Sequence, residues 1–188
     1  MNISDFNNIS MNGRMAYAIL CIEKYLKEKF PDNNWDELSK LMWEVTSIYW
    51  DEWDNKFIEV IPEYLFEFNT YAESGFEEIS EEEYNSFVML LKDKPATVNN
   101  LLMSLHRIQE VYCYSSIPDN GKEASQIVLD ICGILEQNNV SLPDINAVTF
   151  SSFSERDGWG NKFDGTKLSL ILNRYCNNRR PRMLNYMR

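Results

Sequence analysis

The sequence predicts a mainly α fold: an irregular multi-helix bundle of about six to eight helices, with a less regular, loop-rich C-terminal part. Glycine and proline are scarce, with 7 and 6 among 188 residues, which favours helix. Apolar residues recur at intervals of three and four over most of residues 12–140, and this spacing fades after residue 141. We therefore expect a single domain, 1–188, with a helical body at 12–140 and a loop-rich segment at 141–188 that ends in a basic tail.

The first helix is predicted over residues 12–30, because apolar side chains recur on one face. Asn12 is a suitable N-cap, and Pro31 follows the last turn as a stop signal. The apolar run ends at Glu23 without a small-residue cleavage site, so it is predicted to be a helix face rather than a secretion signal. The apolar face consists of Met15, Ile19, Ile22, Leu26 and Phe30.

The second helix is predicted to begin at Asn34, which forms a capping-box pattern with Glu37. Helical spacing resumes over residues 57–71, interrupted by Pro62. Because proline removes a backbone donor and clashes with the preceding turn, we expect a kink or a fresh start there. The apolar stripe of the second helix consists of Leu38, Leu41, Met42, Val45, Ile48 and Tyr49.

Ser80 and Glu83 repeat the capping-box pattern and predict another helix. Pro95 marks a break, after which the most regular apolar spacing in the chain predicts a helix over residues 98–112. Pro118–Gly121 is predicted to be a turn before the last helix of the body. That helix carries Ile127, Val128, Ile131, Ile134 and Leu135.

The C-terminal part begins with a long polar stretch, residues 154–165, and loops of this length are commonly functional or disordered. Trp159 and Phe163 favour an ordered loop, because such rings generally pack against something. Residues 167–175 are predicted to form a last helix or strand. The tail from Arg174 carries arginines and no acid, which favours a tail that folds back on the acidic body; nucleic-acid binding is the alternative.

The formal net charge of −11 indicates which partners to expect. A strongly acidic chain repels nucleic acid and anionic membranes, so we expect neither as a partner and favour a basic protein. The four cysteines are widely spaced and are predicted to be reduced, which favours a cytoplasmic location. The sequence gives no indication of the oligomeric state.

No motif in the sequence predicts catalysis, a cofactor or a metal ion, so we expect a protein that is not an enzyme. His106 is the only histidine and lies beside an apolar stripe, which favours a structural role. Glu78 and Glu81 resemble half of the metal site of all-α nucleotide pyrophosphohydrolases, but no second carboxylate pair follows. A metal-dependent hydrolase that uses these clustered carboxylates is kept as an alternative.

The most distinctive stretch is Trp43–Glu83, which holds thirteen acids, one base and many large rings. On a helical wheel of about 100° per residue, the side chains of one flank are acidic and those of the opposite flank are apolar. The apolar flank, Phe57, Ile61, Tyr64 and Phe68, is predicted to face the core. The acidic flank supplies the predicted partner-binding residues Glu52, Glu59, Glu63, Phe66 and Glu67. A second predicted surface consists of Asp157, Trp159 and Asp164.

In profile the chain resembles bacterial immunity proteins of polymorphic-toxin and contact-dependent growth inhibition systems. It is small, acidic, rich in helix and free of catalytic motifs, and the run Gly158–Gly165 adds to the likeness. The resemblance implies that the chain binds one cognate basic toxin domain, often a nuclease, and covers its active site or substrate groove. An adaptor for a partner that is not a toxin is the further alternative.

Overall fold

The computed structural model describes residues 1–112 and 115–173. Within them the chain forms eight α-helices and no strand, which confirms the predicted mainly α multi-helix fold. Five short 3-10 turns accompany the helices, three of them after residue 141. The helices are α1 (Met11–Lys29), α2 (Asp36–Glu44), α3 (Trp50–Val60), α4 (Pro62–Leu65), α5 (Tyr71–Ser74), α6 (Glu81–Leu91), α7 (Ala96–Glu110) and α8 (Lys122–Gln137).

Helix α1 is the centre of the fold. It is buried on every side over its first thirteen residues and packs against α2, α7 and α8. A helix enclosed in this way is expected to be apolar all round, yet Arg14 and Glu23 are both fully buried within it. Each forms hydrogen bonds with groups from distant parts of the chain, so α1 organises the molecule, whereas the acidic stretch lies towards the surface.

Two predicted helix starts are wrong. Ser10, not Asn12, caps α1: its hydroxyl accepts a hydrogen bond from the Gly13 amide at 3.1 Å. The Asn12 side chain is buried and instead accepts one from Trp50. The predicted capping box at Asn34 does not form, because α2 begins at Asp36 with Trp35 as its N-cap. The Glu37 carboxylate instead accepts a hydrogen bond from Ser86 on α6.

Helix α2 ends at Glu44, so Val45, Ile48 and Tyr49 of its predicted stripe lie beyond it. The boundary predictions at Pro62, Ser80, Pro95 and Pro118–Gly121 are confirmed. Helix α3 ends before Pro62 and α4 begins on it. The Ser80 hydroxyl accepts from the Glu83 amide at 3.2 Å, and the Glu83 carboxylate accepts from the Ser80 amide at 2.8 Å, which completes the capping box. Pro95 separates α6 from α7, and Asp119–Gly121 forms the predicted turn before α8.

The C-terminal segment packs closely on α1 and α2, although it contains no α-helix in its described part. The carboxylate of Glu23 accepts hydrogen bonds from Trp43 (2.8 Å), the Ser169 hydroxyl (2.6 Å), the Leu170 amide (2.5 Å) and the hydroxyl of Ser39. These contacts tie the segment to the core. Residues 165–168 form a 3-10 turn, so neither a helix nor a strand begins at residue 167. The basic tail lies outside the described residues.

Candidate docking surface

Residues 57–91 contain no lysine, arginine, histidine or aspartate and carry nine glutamates. We call the surface formed by residues 62–82, which include α4, α5 and the start of α6, the acidic face. Seven of the nine glutamates are exposed, and none of these seven forms an ion pair with another described residue. The seven are Glu63, Glu67, Glu73, Glu77, Glu78, Glu81 and Glu82.

The eighth glutamate, Glu59, has an intramolecular role. Its half-buried carboxylate accepts hydrogen bonds from the amides of Glu77 (2.8 Å), Glu78 (3.1 Å) and Ile79 (2.9 Å). These bonds attach the loop before α6 to α3 and satisfy three backbone donors. Partner contact by Glu59 stays a prediction, but its carboxylate is already engaged within the fold.

The ninth glutamate, Glu83, neutralises the base that borders this stretch. Its carboxylate lies 2.8 Å from the Lys56 ammonium, and both side chains are about a third exposed. The bond to Lys56, followed by the Ser80 amide, lowers the pKa of Glu83, and the same bond raises the pKa of Lys56. Lys56 therefore leaves the charge of the seven exposed glutamates uncompensated.

Two large rings are exposed among these acids. Phe66 is 42% exposed, as predicted for a docking residue, and Phe68 is 39% exposed, although the wheel predicted it in the core. The wheel fails at Phe68 because α4 ends at Leu65, so the helical angle per residue no longer applies beyond it. Phe57 and Ile61 are fully buried, as predicted.

Contacts with the body hold the acidic face in place. The Glu63 amide donates to the side-chain oxygen of Asn99 on α7 at 3.0 Å, which fixes the start of α4. The Tyr71 hydroxyl donates to the Ile79 carbonyl at 2.8 Å, and its ring packs against Tyr84. The face is therefore supported from beneath.

Glu52, the remaining predicted docking residue, is exposed in the first turn of α3.

The second predicted surface is divided in the structure. Asp157 and Trp159 line a pocket beside α3, and Trp159 packs edge-on against Trp50 with ring centroids 5.0 Å apart. Asp164 lies outside this pocket and accepts a hydrogen bond from the Thr166 hydroxyl. That bond, together with Lys167, lowers the pKa of Asp164. Within the loop at 154–165, the rings of Trp159 and Phe163 pack against the core.

The groups considered for catalysis are the clustered carboxylates and His106. Within residues 1–112 and 115–173, no group of three or more histidine, cysteine, aspartate or glutamate side chains is placed to hold a metal ion. His106 is buried, with Nε2 2.8 Å from Asp54 Oδ1 and Nδ1 3.5 Å from Glu110 Oε2. The contact with Asp54 joins α7 to α3 and ties the two helices together.

We expect the contribution of His106 to stability to depend on pH. Burial lowers the pKa of His106, but Asp54 and then Glu110 outweigh burial and hold the pKa above its ordinary 6.5. A group whose pKa is raised in the folded state contributes its full stabilisation below its unfolded pKa, about 6.5 for histidine. The contribution is lost as the pH rises through the folded-state pKa of His106. The stability difference between wild type and His106→Gln should therefore shrink from pH 5.5 to pH 8.5 in urea unfolding. A difference that grows with pH would contradict this assignment.

None of the described helices has both the length and the apolar character needed to cross a bilayer. The two surface features that the structure brings together are the acidic face and the aromatic pocket at the start of α3. Comparisons of this chain with protein-family models, with curated proteins and with solved structures found no match.

Proposed function

We propose that this protein binds a basic protein through the acidic face and neutralises it, as an immunity protein does with its cognate toxin domain. The observation that supports this proposal is the set of seven exposed glutamates around Phe66 and Phe68, with no free base among them. A surface that served only solubility would mix both signs of charge.

The energetics of the acidic face favour a cationic partner. Like charges close together repel each other and destabilise the free protein by a few tenths of a kcal/mol per pair. A basic partner relieves this repulsion, and complementary charge accelerates encounter. The rings of Phe66 and Phe68 are about two-fifths exposed in the free protein, and their apolar surface would be removed from water in the complex.

A nuclease domain is the toxin class that we propose as the partner. Nuclease grooves are basic because they bind the phosphate backbone, and a row of carboxylates can occupy the same positions as phosphates. The bound protein would cover the substrate groove and stop cleavage without chemistry of its own. An adaptor would use the same face, but its partner would lack a toxic activity to inhibit.

The test uses the protein encoded by the reading frame immediately upstream of this gene as the binding partner. Glu63→Lys with Glu67→Lys should slow association about tenfold or more at low salt and flatten its dependence on salt. Glu59 is left unchanged because its carboxylate holds the loop at 77–79.

The matched control is Glu123→Lys with Glu136→Lys, which makes the same change of net charge at exposed positions of α8. Association of this control should stay within about threefold of wild type, since local charge outweighs net charge at short screening lengths. If both double variants slow association equally, the acidic face is not the docking surface. If the upstream product shows no nuclease activity that this protein inhibits, the immunity proposal fails.

A further inference from the structure

A pocket of about 570 Å³ lies between the start of α3 and the loop at 156–162. Its volume is in the range of pockets that seat a ligand or a large side chain. Three aromatic rings, two basic side chains and one acid contribute to its lining: Tyr49, Trp50, Trp159, Arg156, Lys162 and Asp157.

Buried Asn12 holds the indole of Trp50 and the backbone of Trp159 at this pocket. Its side-chain oxygen accepts from Trp50 Nε1 at 3.0 Å, and its backbone amide donates to the Trp159 carbonyl at 3.0 Å. The Asn12 side chain also donates to the Gly160 carbonyl at 3.4 Å. These hydrogen bonds lie within the protein and hold the walls of the pocket, which reduces the entropic cost of binding.

The loop that carries Arg156 is held in a conformation that costs energy. Arg156 and Asp157 both have positive φ, at 47° and 56°, which residues with a Cβ rarely adopt. At Gly160 a Cβ atom would lie 2.2 Å from the Ser10 hydroxyl oxygen, so only glycine lets the loop approach α1 this closely. Backbone strain of this kind is concentrated at functional sites.

The charge of the pocket is opposite to that of the protein. The pocket carries two cations and one acid, whereas the whole chain has a net charge of −11. Among the described residues, neither Arg156 nor Lys162 forms an ion pair with a carboxylate. Lys162 Nζ instead lies 3.3 Å from the centroid of the Tyr49 ring, and that ring is 62% exposed. The exposed ring can therefore contact an apolar group, and the ammonium beside it can bind an anionic group.

We propose that this pocket binds an acidic peptide segment through one aromatic side chain. The aromatic side chain inserts between Tyr49 and the two indoles, and flanking carboxylates pair with Arg156 and Lys162. A second exposed ring, that of Phe150, packs against Phe163, which is the residue after Lys162. Exposed rings on this segment indicate a protein partner, because a small ligand needs only the pocket itself. This site goes beyond the acidic face, since its preference for charge is the reverse.

The probe is a fluorescein-labelled Glu-Glu-Trp-Glu-Glu peptide, titrated with the full-length protein and followed by anisotropy. Lys-Lys-Trp-Lys-Lys and Glu-Glu-Ala-Glu-Glu are the comparison peptides. We expect the acidic tryptophan peptide to bind at least tenfold more tightly than either. Equal binding of the lysine peptide would overturn the charge assignment, and equal binding of the alanine peptide would overturn the aromatic one.

Two variants test the named residues without disturbing the core. Arg156→Glu with Lys162→Glu should weaken the acidic peptide at least tenfold, while Lys92→Glu with Lys122→Glu, at exposed positions elsewhere, should change it less than twofold. Tyr49→Ala removes a largely exposed ring and should also weaken binding at least tenfold. Unchanged binding in either pocket variant would overturn the proposal. Glu63→Lys with Glu67→Lys should leave this binding unchanged, which separates the pocket from the acidic face.

Discussion

Replacing Arg14 with methionine is expected to lower the free energy of unfolding by about 3 kcal/mol. The guanidinium is fully buried and donates to the carbonyls of Phe6 (3.0 Å), Asn120 (2.6 Å) and Gly121 (2.7 Å). Burial lowers the pKa of Arg14 to about 10, so the group stays charged at neutral pH. Methionine fills similar space but removes one charged donor from each of the three carbonyls, and such a loss is costly in a buried site. The Phe6 carbonyl keeps the Ile9 amide (2.9 Å) and the Gly121 carbonyl keeps the Ser125 hydroxyl (3.2 Å) as donors.

Urea unfolding of Arg14→Met measures this loss, with Arg107→Met as the control at an exposed position of α7. The control should change stability by less than about 0.5 kcal/mol. The loss of stability in Arg14→Lys should lie between those of Arg14→Met and Arg107→Met. A single ammonium cannot reproduce the bonds that the planar guanidinium donates to three carbonyls. A loss in Arg14→Met no larger than in the control would show that the guanidinium bonds contribute little to stability.

The second large effect is expected at Glu23. Glu23→Ala should cost about 4 kcal/mol, because it leaves the donors of Trp43, Ser169 and Leu170 unpaired in the core and opens a cavity. Ser39 loses its acceptor as well. The C-terminal segment depends on these bonds for its attachment to α1, so it should loosen before the helical body unfolds.

Glu23→Gln separates charge from shape at the same site. One Glu23 oxygen accepts from Trp43 and Ser169, and the other accepts from the Leu170 amide. Glutamine keeps the first acceptor but places an NH₂ group against the Leu170 N–H. We therefore expect a smaller loss, about 1–2 kcal/mol, with faster amide exchange confined to residues 169–172. Equal exchange in wild type and Glu23→Gln would contradict the role of this carboxylate in holding the segment.

The sequence predicted the helices well where a local signal sets their ends. Pro62, Pro95 and the Ser80–Glu83 capping box act over three or four residues, and each lies where the structure places a helix boundary. The prediction at Asn12 failed because a competing contact from Trp50, far along the chain, uses the side chain that would have capped the helix.

The buried charges could not be predicted, since their partners are distant in sequence. Arg14 binds carbonyls at residues 120 and 121, and Glu23 binds donors at residues 169 and 170. In a helical pattern alone, both residues are typical of a solvated flank. Only the packed fold shows that they are enclosed.

The candidate site was predictable in composition but not in detail. The lack of bases among the acids is visible in the sequence, and the structure places seven of the nine glutamates of residues 57–91 at the surface. That Glu59 is engaged with backbone amides, while Glu63 is free, depends on how the loop at 77–79 folds against α3. The aromatic pocket is assembled by contacts between residues far apart in sequence, such as those of Asn12. Of its lining, only Asp157 and Trp159 were predicted to bind a partner.

Hydrogen–deuterium exchange of the complex with the upstream-encoded protein tests the docking proposal most directly. We predict that binding slows exchange at residues 61–83 and that Glu63→Lys with Glu67→Lys abolishes this protection while the fold is retained. Protection confined to α8, or to any surface distant from residues 61–83, would contradict the proposal that the acidic face receives the partner.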